Sequence, residues 1–208
     1  MKIGIFGGTF NPIHNGHIRV ACDVKANMDL DEIWFLCASQ PPHKKTVVSD
    51  FHRMNMLKLA LKDFPFFYPS DIEIANKFRY TIDTVNFLNK KYGNEYKFYF
   101  LLGFDAFLEI NTWKEWNKLF SSINFIIFNR YGVQDKTKTI LKNFLGLNIE
   151  EVAQGYYLYN DKEIHNINVK SLNISGSEIR ELNRKGFSIS SCVGRDVANY
   201  IKANNLYR

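Results

Sequence analysis

Apolar positions along this chain fall into short solid runs, separated by longer stretches with helical spacing. Residues 2–6 (KIGIF) form a run that ends on Gly7-Gly8, as a buried strand would. Residues 32–38 (EIWFLCA), 96–103 (YKFYFLLG) and 123–128 (INFIIF) repeat the pattern with aromatic and β-prone residues. Residues 66–74 (FFYPSDIEI) hold a further strand, broken at Pro69. Helices are predicted between these runs. One covers 15–27 with Asn15 as its N-cap. Another covers 50–63, where Met54, Leu57 and Leu61 make one stripe, Met56, Leu59 and Ala60 a second, and Asp50 the cap. A third covers 81–91 with Thr81 as its cap and a stop at Gly93, and two short segments occupy 104–110 and 113–121. Residues 175–185 read as a helix that opens on a serine cap and closes before Gly186, and 193–205 as a last helix. The stretch 131–170 fits a helix at 135–145 and one or two strands.

Strands that alternate with helices predict an α/β fold: a mostly parallel sheet with helices on both faces, followed by a small C-terminal helical part. The expected organisation is one domain over 1–208, with the α/β core at 1–172 and the helical part at 173–208. Ligands of such sheets bind beyond the carboxyl ends of the strands. Gly7, Gly8, His14, His17 and Asp105 all lie just after apolar runs.

Composition adds mainly exclusions. At 208 residues, 46% hydrophobic and 23% charged, the chain is neither disordered nor fibrous. No apolar stretch approaches the roughly 18 residues needed to span a membrane, and the first ten residues lack the pattern of a signal peptide. Cys22, Cys37 and Cys192 are odd in number and lack zinc spacing, which points to a reducing, cytoplasmic location and no protein-held metal. The net charge of +6 points to anionic partners without choosing among them. A nucleic-acid-binding module could use that charge and the 15% aromatic content, but Lys and Arg are scattered and no recognition motif is present.

The chemistry concentrates in GGTFNPIHNGH, residues 7–17. Glycines at a strand-helix junction bring backbone N–H groups close to a ligand, and a helix N-terminus favours phosphate. His14 and His17, three apart, can face the same anion. Neither GxGxxG nor a Walker loop occurs, and no Ser/His/Asp, Cys/His or paired-carboxylate arrangement is visible. A second element, Ile174-Ser175-Gly176-Ser177-Glu178-Ile179-Arg180, could by itself be an ordinary capped helix.

GGTFNPIHNGH resembles the GxFxPxHxGH signature of the HxGH nucleotidyltransferase superfamily, and ISGSEIR resembles its ISSTxxR element. Gly176 stands where Ser or Thr is usual. Pro41-Pro42-His43-Lys44, Tyr80-Thr81-Ile82-Asp83-Thr84 and Leu102-Gly103-Phe104-Asp105 with Thr112-Trp113 are similar to segments of its bacterial nicotinate-nucleotide adenylyltransferase branch. Arg79 and Lys114 depart from that pattern, where Ser and an aromatic residue are common. The likeness runs over nearly the whole chain, and relatives acting on pantetheine phosphate are shorter.

The resemblance implies a Rossmann-like fold and adenylyl transfer from ATP to nicotinate mononucleotide, in NAD biosynthesis. Nicotinamide mononucleotide or another phosphorylated acceptor is the alternative. It implies catalytic roles for His14, His17, Lys44 and Arg180. The ATP site would comprise Gly7, Gly8, Thr9, Phe10, His14, His17, Gly103, Asp105, Ile174, Ser175, Ser177 and Arg180. Lys44, Tyr80, Thr81 and Trp113 would bind the mononucleotide, with Trp116 in the core. Mg²⁺ is expected on the ATP phosphates, without protein ligands. No nucleic-acid or membrane partner is expected, and homo-oligomerisation is left open. His52 and His165 are expected at the surface.

Overall fold

The computed structural model describes residues 1–39, 48–93, 95–130, 136–170 and 174–208. In chain order the elements are β1 (Lys2–Gly8), α1 (Asn15–Met28), β2 (Glu32–Cys37), α2 (Asp50–Leu61), β3 (Phe67–Ser70), α3 (Ile72–Asn76), α4 (Thr81–Tyr92) and β4 (Lys97–Gly103). There follow α5 (Phe104–Phe107), a 3-10 turn (Ile110–Thr112), α6 (Trp116–Ser122), β5 (Asn124–Arg130) and α7 (Thr137–Thr139), which continues as a π-turn (Ile140–Phe144). The rest comprises β6 (Glu150–Ala153), β7 (Tyr156–Tyr159), β8 (Lys162–Val169), α8 (Gly176–Arg184), α9 (Ser190–Val193) and α10 (Arg195–Ala203).

The strands form one sheet in the order β3-β2-β1-β4-β5-β8-β7-β6. From β3 to β8 every pairing is parallel, and β7 and β6 add an antiparallel hairpin. Chain order reverses between β1 and β4, the kind of point at which α/β sheets open a crevice. The register that pairs Ile5 with Phe100 carries Gly8 to the level of Gly103.

Side chains alternate across β1. Phe6 faces a cluster with Val20, Val24, Met56 and Leu57, while Ile3 and Ile5 face Val85, Leu88, Phe107 and Phe120. Helices therefore cover both faces, as the alternating pattern predicts. Ile179 of α8, Val193 of α9, Val197 and Ile201 of α10, and Ile189 just before α9 join the first cluster, so the C-terminal helices share a core with α1 and α2.

Several local expectations are corrected. The caps of α1, α2 and α4 are His14, Ser49 and Tyr80, each one residue before the predicted cap, because these are the last residues with extended backbone. Asn15 instead donates to Ser191 O at 2.8 Å. Pro69 does not break β3: it sits in an edge strand, where no ladder bond needs its missing N–H. Residues 72–76 are helical. The undecided stretch holds three strands, and its helix is shorter than 135–145. The long closing helix is two short ones, separated at Gly194 where φ is +81°. His52 and His165 are not free surface groups. His52 Nδ1 lies 2.9 Å from Tyr200 Oη, and His165 stacks on Tyr156 with ring centroids 4.5 Å apart.

Candidate active site

The turn after β1 is built on close contacts. A Cβ on Gly8 would lie 2.9 Å from the Phe10 ring, so only glycine fits there without moving that ring. Phe10 itself takes φ 44°, a left-handed conformation that a bulky residue adopts only when its surroundings compel it. Its buried ring supplies that compulsion. It lies edge-on to His17 at 5.2 Å and tilted against Phe35 at 5.7 Å.

His14 and His17 stack, with ring centroids 3.7 Å apart, and the His14 N–H donates to His17 Nδ1 at 3.3 Å. His14 is buried, and its Nδ1 has no hydrogen-bond partner among the described residues. Burial pulls its pKa down from 6.5 to about 4, so the ring is neutral at pH 7. A Cβ on Gly16 would come within 2.9 Å of that Nδ1. The glycine of the HNGH segment thus makes room for the first histidine.

The second sequence element lies against the first. Ile174 O is 3.8 Å from the Cβ position of Gly16, and Asn11 O is 3.1 Å from that of Gly176. Arg180 Nη1 donates to Asn11 O at 2.7 Å, and its Nη2 donates to Ser177 Oγ at 3.2 Å. Ser175 caps α8: its Oγ accepts from the Glu178 N–H at 3.2 Å, while Glu178 accepts from the Ser175 N–H at 3.0 Å. Two helix N-termini, those of α1 and α8, therefore converge on one loop from opposite ends of the sequence.

Other predicted residues border this centre. Gly103 ends β4, with its Cβ position 3.4 Å from the Phe128 ring, and Asp105 is exposed in the first turn of α5. The Cβ position of Gly7 lies 3.6 Å from the Phe100 ring, and Trp113 stands edge-on to the same ring at 6.2 Å. Trp113 is therefore one ring away from the glycine turn. Tyr80 caps α4 and Thr81 opens it, and Lys114 spans to this turn, with Nζ 4.7 Å above the Tyr80 ring and 3.4 Å from Asp83 Oδ1. Trp116 packs partly buried on the core, edge-on to Phe120 at 6.3 Å. Pro41, Pro42, His43 and Lys44 lie outside the described residues.

Sequence reasoning missed three side chains. Arg53 is wholly buried on α2 and donates to Thr9 O at 2.7 Å, to Ser39 O at 3.0 Å and to Asp50. It ties the ends of β1 and β2 together. An arginine three residues before Met56 on an apolar stripe, with Asp50 three residues earlier, was the available signal. Asn11 was read only as part of a motif, and Tyr207, whose hydroxyl donates to Asn11 Oδ1 at 2.8 Å, gave no local signal. Among the described residues, no group of three or more His, Cys, Asp or Glu could hold a metal ion. No helix there is long and apolar enough to cross a membrane.

Comparison with known proteins matches this geometry. A family model described as cytidylyltransferase-like covers residues 5–182. A protein of Shewanella frigidimarina named as a probable nicotinate-nucleotide adenylyltransferase is 36% identical over 216 residues, covering all of both chains. One of the same name from Carboxydothermus hydrogenoformans is 39% identical, covering all of this chain and 98% of its own. The structure of nicotinic acid mononucleotide adenylyltransferase from Plasmodium falciparum, complexed with NaAD, superposes with a TM-score of 0.77 at 26% identity, covering 99% of this chain and 97% of that one. With both signature elements meeting at Asn11, a family model matching residues 5–182 and relatives 36% and 39% identical over the full chain, the chain belongs to the nicotinate-nucleotide adenylyltransferase family of cytidylyltransferase-like nucleotidyltransferases.

Proposed function

We propose that this protein transfers the adenylyl group of ATP to nicotinate mononucleotide, releasing pyrophosphate and forming nicotinate adenine dinucleotide for NAD biosynthesis. The observation that carries this reading is the meeting of the α1 and α8 N-termini at the Asn11 loop, beside two stacked histidines. The names of the full-length relatives and the NaAD-bound neighbour support the choice of substrates.

The mononucleotide's phosphate has a second pKa of about 6, so its oxygen attacks the α-phosphorus of ATP without a general base. One P–O bond forms to that oxygen, the bond to the bridging oxygen breaks on the opposite side, and pyrophosphate leaves with the electron pair. No covalent enzyme intermediate is involved. What remains for the chain is alignment and charge stabilisation.

Backbone groups of Gly7, Gly8, Thr9 and Phe10 receive the nucleotide. His17 and the neutral His14 donate hydrogen bonds to the reacting phosphates. Ile174, Ser175, Ser177 and Arg180 hold the β- and γ-phosphates at the α8 N-terminus. Lys44 adds positive charge. Gly103 and Asp105 line the adenosine side, with Asp105 toward the ribose. Tyr80 and Thr81 border the pyridine ring, and Trp113 stacks on it. We assign Mg²⁺ to the triphosphate itself. Such an ion keeps most of its waters and uses substrate oxygens, and there it would neutralise charge on the phosphates. Free thiols at Cys22, Cys37 and Cys192 fit a cytoplasmic setting.

The test is pyrophosphate release with ATP, Mg²⁺ and either nicotinate or nicotinamide mononucleotide. Turnover with the nicotinate acceptor, lost by two orders of magnitude or more in a folded His17→Ala variant, is the expected result (about the size of removing one transition-state donor). No release with either acceptor rejects the reading, and preference for the amide reassigns the substrate.

A further inference from the structure

We propose that Tyr207 is a positioning residue for adenylyl transfer: its buried hydroxyl fixes Asn11, and through Asn11 the Arg180 guanidinium and the loop leading to His14 and His17. The inference rests on the phosphate-binding role given above to Arg180.

Asn11 is almost fully buried and uses two oxygens for two partners from the far end of the sequence. Its backbone carbonyl accepts from Arg180 Nη1 at 2.7 Å, and its side-chain Oδ1 accepts from Tyr207 Oη at 2.8 Å. Three residues after Arg180 on α8, Asn183 donates through Nδ2 to Leu206 O at 3.0 Å and to Tyr207 O at 3.4 Å. A closed circuit results. One helix carries both the guanidinium that holds the Asn11 backbone and the amide that holds the backbone of the residue holding the Asn11 side chain.

Packing alone does not account for this arrangement. The Tyr207 ring belongs to the same apolar cluster as Phe10, Ile179 and Val197, where phenylalanine would pack as well. Burying a hydroxyl costs free energy unless it is bonded, and here its bond goes to the catalytic loop. Tyr207 also holds a left-handed φ of 61°, which an aromatic residue keeps only under constraint. Burial raises the phenol pKa, so the group stays a donor throughout the range in which the enzyme could work. Asn11 is two residues past Thr9 and three before His14. A shift there displaces the histidines and Arg180 together, and small displacements of aligned groups reduce rates steeply.

The test compares Tyr207→Phe with Tyr200→Phe. Tyr200 is a matched control: its hydroxyl also bridges the C-terminal helices to the body, accepting from Asn55 Nδ2 at 2.9 Å and lying 2.9 Å from His52 Nδ1, both on α2 and neither a residue of the loop. Both variants should lose similar thermal stability. Well below both melting transitions, Tyr207→Phe should lower kcat about tenfold or more and weaken ATP binding several-fold, with the mononucleotide KM unchanged. Tyr200→Phe should leave all three unchanged. Asn11→Ala combined with Tyr207→Phe should lose no more kcat than Asn11→Ala alone, because both act on one link. Equal kcat in the two tyrosine variants, or additive losses in the double variant, overturns the proposal. ATP affinity measured by calorimetry without acceptor keeps the two readings separate. A wild-type protein that binds ATP yet uses neither mononucleotide refutes the acceptor assignment, and Tyr207 is then judged from ATP affinity alone, where equal binding by wild type and Tyr207→Phe overturns it.

Discussion

His14 shows how one side chain can serve a reaction by remaining uncharged. It is buried, stacked on His17, and has an orphaned Nδ1 toward the Gly16 backbone. The protein therefore binds a proton there only near pH 4, whereas the unfolded chain binds one near 6.5. Between those values the unfolded state holds more protons, so stability falls as the pH drops through the window. The loss at one such site reaches about 3 kcal/mol. Urea unfolding of wild type and His14→Asn at pH 7.5 and 4.5 should show the wild type losing up to that much more than the variant. Parallel behaviour of the two would mean that His14 is solvated. The identity of this residue as chemically special was legible, because His14 sits in an eleven-residue pattern at a strand-helix junction. Its charge state was not. That depends on burial produced by packing, in which Ile174 and the α8 N-terminus, more than a hundred and fifty residues away in sequence, lie against the Asn11–Gly16 loop.

Strand and helix identities followed from period and run length, which is why β1, β2, β4 and β5 were foreseeable. Boundaries and short elements were less so. The caps moved by one residue because a cap is defined by backbone angles, and asparagine, aspartate and threonine can equally begin a first turn. The hairpin of β6 and β7 has exposed, mixed positions with no clear alternation. At α8, the structure explains a departure from the family pattern. Gly176 replaces a hydroxyl-bearing residue, yet a Cβ there would stand 3.1 Å from Asn11 O and 3.4 Å from Arg180 Nη1. Restoring the hydroxyl by Gly176→Ser forces the Arg180–Asn11 contact apart by a few tenths of an ångström. Turnover should fall, on the order of several-fold to tenfold, with little change in unfolding midpoint. Faster turnover in steady-state assays would show that the loop accepts the side chain.

On the scale of the molecule, six parallel strands present their carboxyl ends on one side, and long-range side-chain bonds hold that side together. Arg53 is a fully buried link of this kind, joining the β1 and β2 ends to α2. Replacing it by methionine keeps the bulk but leaves Thr9 O and Ser39 O without their donor and Asp50 without its cation. Arg53→Met should cost about 3 kcal/mol in urea unfolding and reduce turnover as well, since Thr9 belongs to the nucleotide loop. A variant as stable and active as wild type would reduce Arg53 to a filler of the core. The Asp50–Arg53 spacing could flag a buried arginine, but its partners Thr9 O and Ser39 O could not be named from sequence, because they depend on which strands become neighbours. The same strand order leaves two outer strands, β3 and β6. Pro69 removes a hydrogen-bond donor from one, while exposed Glu150 and Glu151 and a register irregularity between Glu151 and Ala153 disrupt the other. Neither border offers a straight, uncharged row of backbone groups, so an eight-stranded sheet can remain at high concentration without templating fibrils of its own copies.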